Sequence, residues 1–434
     1  APAMRHRPRG RPDGTGTAPP AAAAHAGLSG LALSAAAWAA RTLRSLRHRN
    51  YAIWASGAVV SNIGTWMQRT AQDWLVLTQL TAHDATAMGL TMAFQMAPQV
   101  LLLPWTGHAA DRLDRRALLM LTQGLMGVLA LGLGALTISG AARLWEVCVF
   151  AFIFGSVAAF DGPARHSFVS ELVPVADLPN AVALNSVSFN AGRMLGPVAA
   201  GACIAAIGTG WAFVLNGVSF IAVLLSLTAL RGRAVPVRAS GSGRDILAGF
   251  RYVWAQPDLR TMVGVLLLIG MFGLNFPIFI STMAVGVFHV GAGGYGLLTT
   301  AMAVGTMAGA VLAAGRERVT LATVEASALF FGTGGLLAAL APGYALFAAA
   351  LALVGVASLT LATGSNSFMQ LAAAPAMRGR VMAIRLAVIM GGTPLGAPVM
   401  GWVANHFGPR WALGLGASSG FAAALVVRLR RRQG

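Results

Sequence analysis

A few groups able to carry charge interrupt the long apolar runs of this chain. Arg69 and Asp73 stand four residues apart, among Asn62, Gln68 and Gln72. On a helix that spacing puts guanidinium and carboxylate on one face, where they can pair. Asp73 therefore reads either as a carboxylate that exchanges protons or as half of a structural ion pair, and the spacing leaves both open. Arg193 falls near the middle of another apolar run, beside Asn185 and Asn190. A charge at such depth must face the protein interior or water. There it either binds an anionic ligand or serves as counter-ion to an acid such as Asp73 or Asp161. Asn275, Asn366, Gln95 and Gln99 either line a cavity or bond between helices. Arg385, near a run's end, can snorkel. Trp54, Trp66 and Trp74 read as packing residues or interfacial anchors.

Other chemistry is excluded. All 31 basic residues are Arg, so there is no lysine for a Schiff base and no P-loop ending in Gly-Lys-Ser/Thr. The eight His are scattered, and no cluster has metal-ligand spacing or a nucleophile–base pattern. We expect no catalytic residues, no metal and no cofactor. Cys148 and Cys203 read as small buried hydrophobes.

The elements that must position these groups are membrane spans. Hydrophobic residues make up 56% of 434 positions and charged ones 10%, against about 25% charged in a soluble domain. Twelve apolar segments follow one another, near 51–78, 86–107, 116–138, 144–162, 180–206, 211–230, 260–284, 294–315, 320–340, 344–368, 380–404 and 410–428. Each is roughly the twenty residues needed to cross a bilayer. Arg residues fall on alternate connectors. Those expected inside hold Arg112, Arg115, Arg116, Arg165, Arg251, Arg260, Arg378 and Arg380, whereas the outer ones hold Arg143 and Arg410. This asymmetry predicts an all-α membrane protein with both termini cytoplasmic, and it accounts for the net charge of +18 without nucleic acid. Residues 1–50 read as a disordered basic tail ending in an interfacial amphipathic helix. Six-helix halves at 51–230 and 260–428 flank a cytoplasmic linker at 231–259, and 429–434 form a basic tail.

The halves echo each other at an offset of 200: Ser167-Phe168 recurs as Ser367-Phe368, and Gly192, Gly196 and Gly201 recur as Gly392, Gly396 and Gly401. Six intervening helices make this a parallel repeat about an axis along the membrane normal. Gly196 and Gly396 let helices approach closely, and Pro197 and Pro398 let the fifth and eleventh spans bend.

Gly107-His-Ala-Ala-Asp111-Arg112-Leu-Asp114-Arg115-Arg116 resembles the signature loop between spans two and three of the major facilitator superfamily, with Asp114 where that family usually has Gly. Phe160-Asp161-Gly162-Pro163-Ala164-Arg165, then Asn180 to Asn185, then Asn190-x-Gly-Arg193-x-x-Gly196-Pro197, resembles the bacterial subgroup of siderophore exporters and macrolide efflux proteins. The Gly196-Pro197 helix is similar in part to the antiporter signature. The mid-span-four Arg of many drug antiporters has no counterpart. On residues alone, Gly107 permits a tight exit from span two, and Asp111 can accept bonds from a helix N-terminus or an Arg. The resemblance implies a gating latch in which Asp111 meets the start of span eleven near Arg378 and Arg165 completes the network.

The resemblance also implies a monomeric, multi-pass antiporter of the bacterial inner membrane. It would exchange protons for a small amphipathic or siderophore-like molecule. An uptake porter of the same fold, a permease subunit of an ATP-driven complex, and a flippase or membrane enzyme stand as alternatives.

Overall fold

The computed structural model describes residues 42–230, 246–314 and 319–433. The expectations for residues 1–41 and for linker residues 231–245 lie outside the described residues, as does the side chain of Asp111.

Among the described residues the chain is helical, with no strand. The first half comprises α1 (Arg49–Leu75), α2 (Ala85–Leu101), α3 (Leu103–Arg112), α4 (Arg115–Ile138), α5 (Leu144–Leu172), α6 (Leu178–Ile207) and α7 (Thr209–Thr228). The second comprises α8 (Ile246–Ala255), α9 (Pro257–Leu268), α10 (Phe276–Gly286), α11 (Ala292–Ala314) and α12 (Leu321–Leu340). It continues with α13 (Tyr344–Ala372), α14 (Arg378–Phe407) and α15 (Pro409–Gln433). A π-helical turn, Val76–Leu80, ends α1, and another, Ile269–Gly273, carries α9 towards α10. Counting α9 to α10 as one, nine of these helices are long and apolar enough to cross a membrane.

Two boundaries differ from the sequence reading. Gly107 does not mark an exit from a span, because α3 continues through it to Arg112 and the turn is Leu113–Asp114. Asp114 makes that turn by capping α4, its carboxylate accepting from the Ala117 amide at 2.8 Å. The fourth apolar run extends to Leu172 rather than ending near 162, so Asp161 and Arg165 lie inside a helix. The described part of the linker is helical from Ile246, and the Tyr252 hydroxyl accepts the Ala374 amide at 2.9 Å.

The offset-200 echo is a set of paired contacts. A β-carbon added at Gly192 would lie 2.8 Å from the Asn62 carbonyl carbon, and one at Gly196 would lie 2.5 Å from Trp66 Cβ. Likewise one at Gly392 would lie 2.6 Å from Gly270, and one at Gly396 would lie 1.6 Å from the Met271 carbonyl oxygen. So α6 lies against α1 as α14 lies against the α9–α10 strip, at distances a side chain would forbid. Gly208 (φ 97°) and Gly408 (φ 98°) turn the chain after α6 and α14 in the left-handed region. His83 (φ 63°) and His289 (φ 51°) occupy the matching turns after α1 and α10.

Chain ends and most connectors bearing Arg share one face of the bundle, and the His83, Gly208, His289 and Gly408 turns share the other. The halves pack on each other toward the second, Arg-poor face: α2 against α14 and α6 against α11. Leu77, Met88, Phe279 and Met283 form part of one continuous buried cluster there.

On the Arg-rich face the turn before α1 is clasped by the connector between α5 and α6. Asp177 pairs with Arg44 at 2.9 Å and His48 at 2.7 Å, and Asn180 accepts from the Ser45 amide at 3.0 Å. The His48 bond and the nearby Arg44 charge hold the Asp177 carboxyl below the usual carboxylate range. A depressed acid stabilises the clasp above its unfolded value and releases it only as pH falls through the lower, folded value. We therefore expect limited proteolysis at Arg44–Arg49 not to quicken between pH 8 and 5, and to quicken a few-fold in Asp177→Ala, as for a small exposed network.

Candidate functional site

Helices α1, α2 and α6 carry the polar residues that hydropathy disfavours, and these helices face a cavity between the halves. It has two chambers that share Trp66, Arg69, Gln95 and Met96. The inner one, about 220 Å³, adds Asp73, Met92, Arg193, Phe276, Tyr295 and Met302, among others. The outer one, about 480 Å³, reaches toward the Arg-rich face and adds Asn62, Gln99, Asp161, Arg165, Asn185 and Asn190. Among the described residues, Met390 is its one lining residue from the second half.

Arg69 and Asp73 share a face, as their spacing implies, yet they form no ion pair within 4 Å among the described residues. Arg69 instead lies 5.2 Å from the Trp66 ring centroid and donates to Met96 Sδ at 3.7 Å. Arg193, reaching in from α6, stands 5.9 Å from the same ring. Each guanidinium is within cation–π range of the indole. Trp66 is thus a cavity residue, contrary to the packing role expected for it, whereas Trp54 is buried in the core. Asp73 accepts from the Tyr295 hydroxyl of α11 at 3.4 Å, a long bond, and the Tyr295 ring stacks on Trp74 at 6.0 Å.

The other predicted polar residues divide into two groups. Asn62, Asp161 and Arg165 come together. Asp161 accepts from Thr122 at 2.9 Å, Gln123 at 2.7 Å and Arg165 Nη2 at 3.1 Å. Arg165 also reaches Asn62 at 3.4 Å, and Asn62 donates to Ser188 at 2.9 Å. This chain ties α1, α4, α5 and α6. Asn275 is separate: fully buried at the break before α10, it donates to the Met271 carbonyl at 2.7 Å. Asn366 and Arg385 are partly buried on α13 and α14, with Arg385 donating to the Ala362 carbonyl at 2.9 Å.

Within the signature stretch, Arg115 pairs with Glu171 at the end of α5. Arg116 donates to the Thr228 carbonyl at 3.2 Å, satisfying an orphan acceptor at the end of α7. Arg378 donates to Gln370 at 2.9 Å on its own half. Arg112 is exposed.

Sequence reasoning did not single out Tyr295, Glu171 or the methionines. For Tyr295 a signal existed: a rare tyrosine at the start of an apolar run. Chemically, the inner chamber sets two cations against one acid beside an aromatic face, with soft Met92, Met96 and Met302 around them. Such a lining has the chemistry to hold an amphipathic anion.

The chain matches the family model described as transmembrane secretion effector, over residues 40–433. It is 30% identical over 167 residues to the staphyloferrin A transporter of Staphylococcus aureus, covering 38% of this chain and 42% of that one. It is 23% identical over 356 residues to the enterobactin exporter EntS of Citrobacter koseri, covering 80% and 83%. The fold is similar to the nucleoside transporter NupG, with a TM-score of 0.71 at 12% identity over 88% and 98% of the chains. It is also similar to an inward-facing, occupied bacterial homolog of the human lysosomal transporter Spinster, with a TM-score of 0.70 at 16% identity over 89% and 97%.

Proposed function

We propose that this chain, which belongs to the transmembrane secretion effector family of major facilitator transporters, exports a small amphipathic anion from the cytoplasm in exchange for protons. The observation that carries this reading is the pair of guanidiniums, Arg69 and Arg193, over one indole beside Asp73, with no carboxylate among the described residues ion-paired to either. The enterobactin exporter, similar over most of its length, supports export and a siderophore-like substrate.

On this reading α1, α2 with α3, and α6 join the nine apolar helices to make twelve spans. They fall outside the nine because α2 is only 17 residues long, and the cavity's charges lower the mean hydropathy of α1 and α6. Both termini lie in the cytoplasm with the Arg-rich face, in the inner membrane of a bacterium, and a monomer suffices because the cavity is built within one chain. The halves then meet on the outer side, and the outer chamber opens inward. A substrate anion enters past Asn62 and Asn185 and is held by Arg69 and Arg193 with its apolar part on Trp66. The halves rock about Gly-lined helix contacts, and Asp73 takes up a proton after release. The signature stretch, with Asp111, closes the cytoplasmic side against the start of α14 once the chamber faces out.

Enterobactin uptake into inverted membrane vesicles tests direction and coupling. We expect accumulation when the lumen is acidic and collapse of that accumulation on adding a protonophore. Accumulation insensitive to the protonophore would overturn proton coupling. Loss of preloaded substrate from the same inverted vesicles in place of uptake would make the chain an uptake porter.

A further inference from the structure

The two interfaces between the halves are related by the repeat, but they are not alike. At one, a β-carbon added at Gly89 of α2 would lie 2.3 Å from the Ala397 carbonyl oxygen, and one at Gly401 of α14 would lie 2.2 Å from the Ala85 carbonyl oxygen. At the other, one at Gly296 of α11 would lie 2.4 Å from the Pro197 carbonyl oxygen, and one at Gly201 of α6 would lie 2.7 Å from the Ala292 carbonyl oxygen. These contacts match Ala85 with Ala292, Gly89 with Gly296, Ala397 with Pro197 and Gly401 with Gly201.

One turn beyond Gly401, Asn405 reaches from the second half across the N-terminus of α2. Its Oδ1 accepts from the Ala85 amide at 2.9 Å. Its Nδ2 donates to Asp84 Oδ1 at 2.5 Å and to Thr86 Oγ1 at 2.9 Å. Asp84 in turn caps α2, accepting from the Thr86 amide at 2.8 Å and the Ala87 amide at 3.1 Å. The helix start is therefore satisfied by one residue of its own half and one of the other. The register above places Gly291, Gly293 and Ala205 where Asp84, Thr86 and Asn405 stand, and none of these three has a side chain that can bond.

A feature needed merely to pack the halves would be present in both copies. Here the close glycine approach is shared, and the polar closure is not. We propose that Asn405 with Asp84 and Thr86 is a one-sided bolt on the outer face, whose breaking is the added cost of opening the cavity outward. It rests on the alternating-access reading above and involves neither cavity substrate nor proton. When the halves part at this face, the Ala85 amide and the Asp84 carboxylate each lose a protein partner. At the matching outer end the α6–α11 interface has, among the described residues, no such cap to lose. Its own bond between the halves, from the Thr300 hydroxyl to the Met194 carbonyl at 3.0 Å, lies farther from the outer turns. The outer end of α6–α11 therefore acts as the hinge side and that of α2–α14 as the latch side.

The test is thiol accessibility in right-side-out vesicles without substrate or pH gradient. Ile280, at the α10 wall of the inner chamber, is replaced by Cys in a background lacking Cys148 and Cys203, and a membrane-impermeant maleimide is applied. Loss of a charge-assisted bond predicts a labelling rate about tenfold higher in Asn405→Ala. Asn405→Asp, which sets a second carboxylate against Asp84, should give at least as large a rise. Transplanting the bolt to the other interface, with Ala205→Asn and Gly291→Asp together, should lower labelling below the parent. That arm does not depend on any loss-of-contact variant folding. Parental rates in both Asn405→Ala and the transplant would overturn the proposal. Absence of pH-gradient-driven export in the parent chain, with these labelling shifts intact, would instead overturn proton coupling and leave the bolt standing.

Discussion

Replacing Asp73 by Asn is expected to uncouple transport from the proton gradient while leaving the fold intact. The amide oxygen can still accept from the Tyr295 hydroxyl, so the contact between α1 and α11 survives. What is lost is a group that can bind a proton. Charged or titratable groups face Asp73 from three elements: Arg69 on its own helix, Arg193 on α6 and Tyr295 on α11. The chamber walls from α2 and α10, including Met92, Gln95, Met96, Phe276 and Pro277, contribute none. Asp161, the other acid of the cavity wall, is already held by Thr122, Gln123 and Arg165, whereas Asp73 has one long bond. The expected result is that gradient-driven substrate accumulation in inverted vesicles falls about a hundredfold, the upper range of a coupling free energy. Substrate exchange at equal pH should persist. Retained gradient dependence in Asp73→Asn would remove Asp73 from coupling and move attention to Asp161.

Much of this architecture can be read from the chain because a bilayer imposes length and polarity on each span. The apolar runs and helices agree to within a few residues at α4, α7 and α12. They diverge where local chemistry overrides hydropathy. Gly107 reads as a helix end when isolated, but nothing presses on it, since an added β-carbon would meet nothing within 4 Å. The helix runs on until Asp114 can cap its successor. Periodicity likewise put Arg69 and Asp73 on one face, and that is where they are. It could not supply the competitors for their bonds. Met96 comes from α2 and Tyr295 from the other half, 222 residues away, and no local pattern encodes that meeting. The bolt at Asn405 was hidden for the same reason, 321 residues from Asp84. Its trace appears in the repeat only once the helix contacts set the register, which differs from the 200-residue echo in the α2 and α11 stretches. Polar Asp84, Thr86 and Asn405 then correspond to Gly291, Gly293 and Ala205. Departures from an internal repeat are a more specific guide to function here than the repeat itself.

Replacing either cavity arginine tests what the chamber binds. Arg69 and Arg193 both lie over the Trp66 ring, so an anionic substrate would meet two guanidiniums and an indole in a space shielded from bulk water. Hydrogen bonds to charged groups contribute about 1.5–3 kcal/mol, so Arg193→Met should weaken binding of an anion roughly ten- to hundredfold. Methionine keeps the apolar bulk and removes the charge. Arg69→Met should differ in kind, because it also removes the cation beside Asp73 and so should alter pH dependence as well as affinity. Trp66→Phe keeps an aromatic face with a weaker quadrupole and should cost less than Trp66→Ala. Binding to purified protein, followed by quenching of tryptophan fluorescence with an amphipathic aromatic carboxylate and its uncharged methyl ester, separates the effects. The uncharged analogue should bind wild type and Arg193→Met alike. Equal loss of both ligands in Arg193→Met would mean that the guanidinium holds α6 in place and does not recognise charge. The chamber would then be a receptor for apolar surface alone.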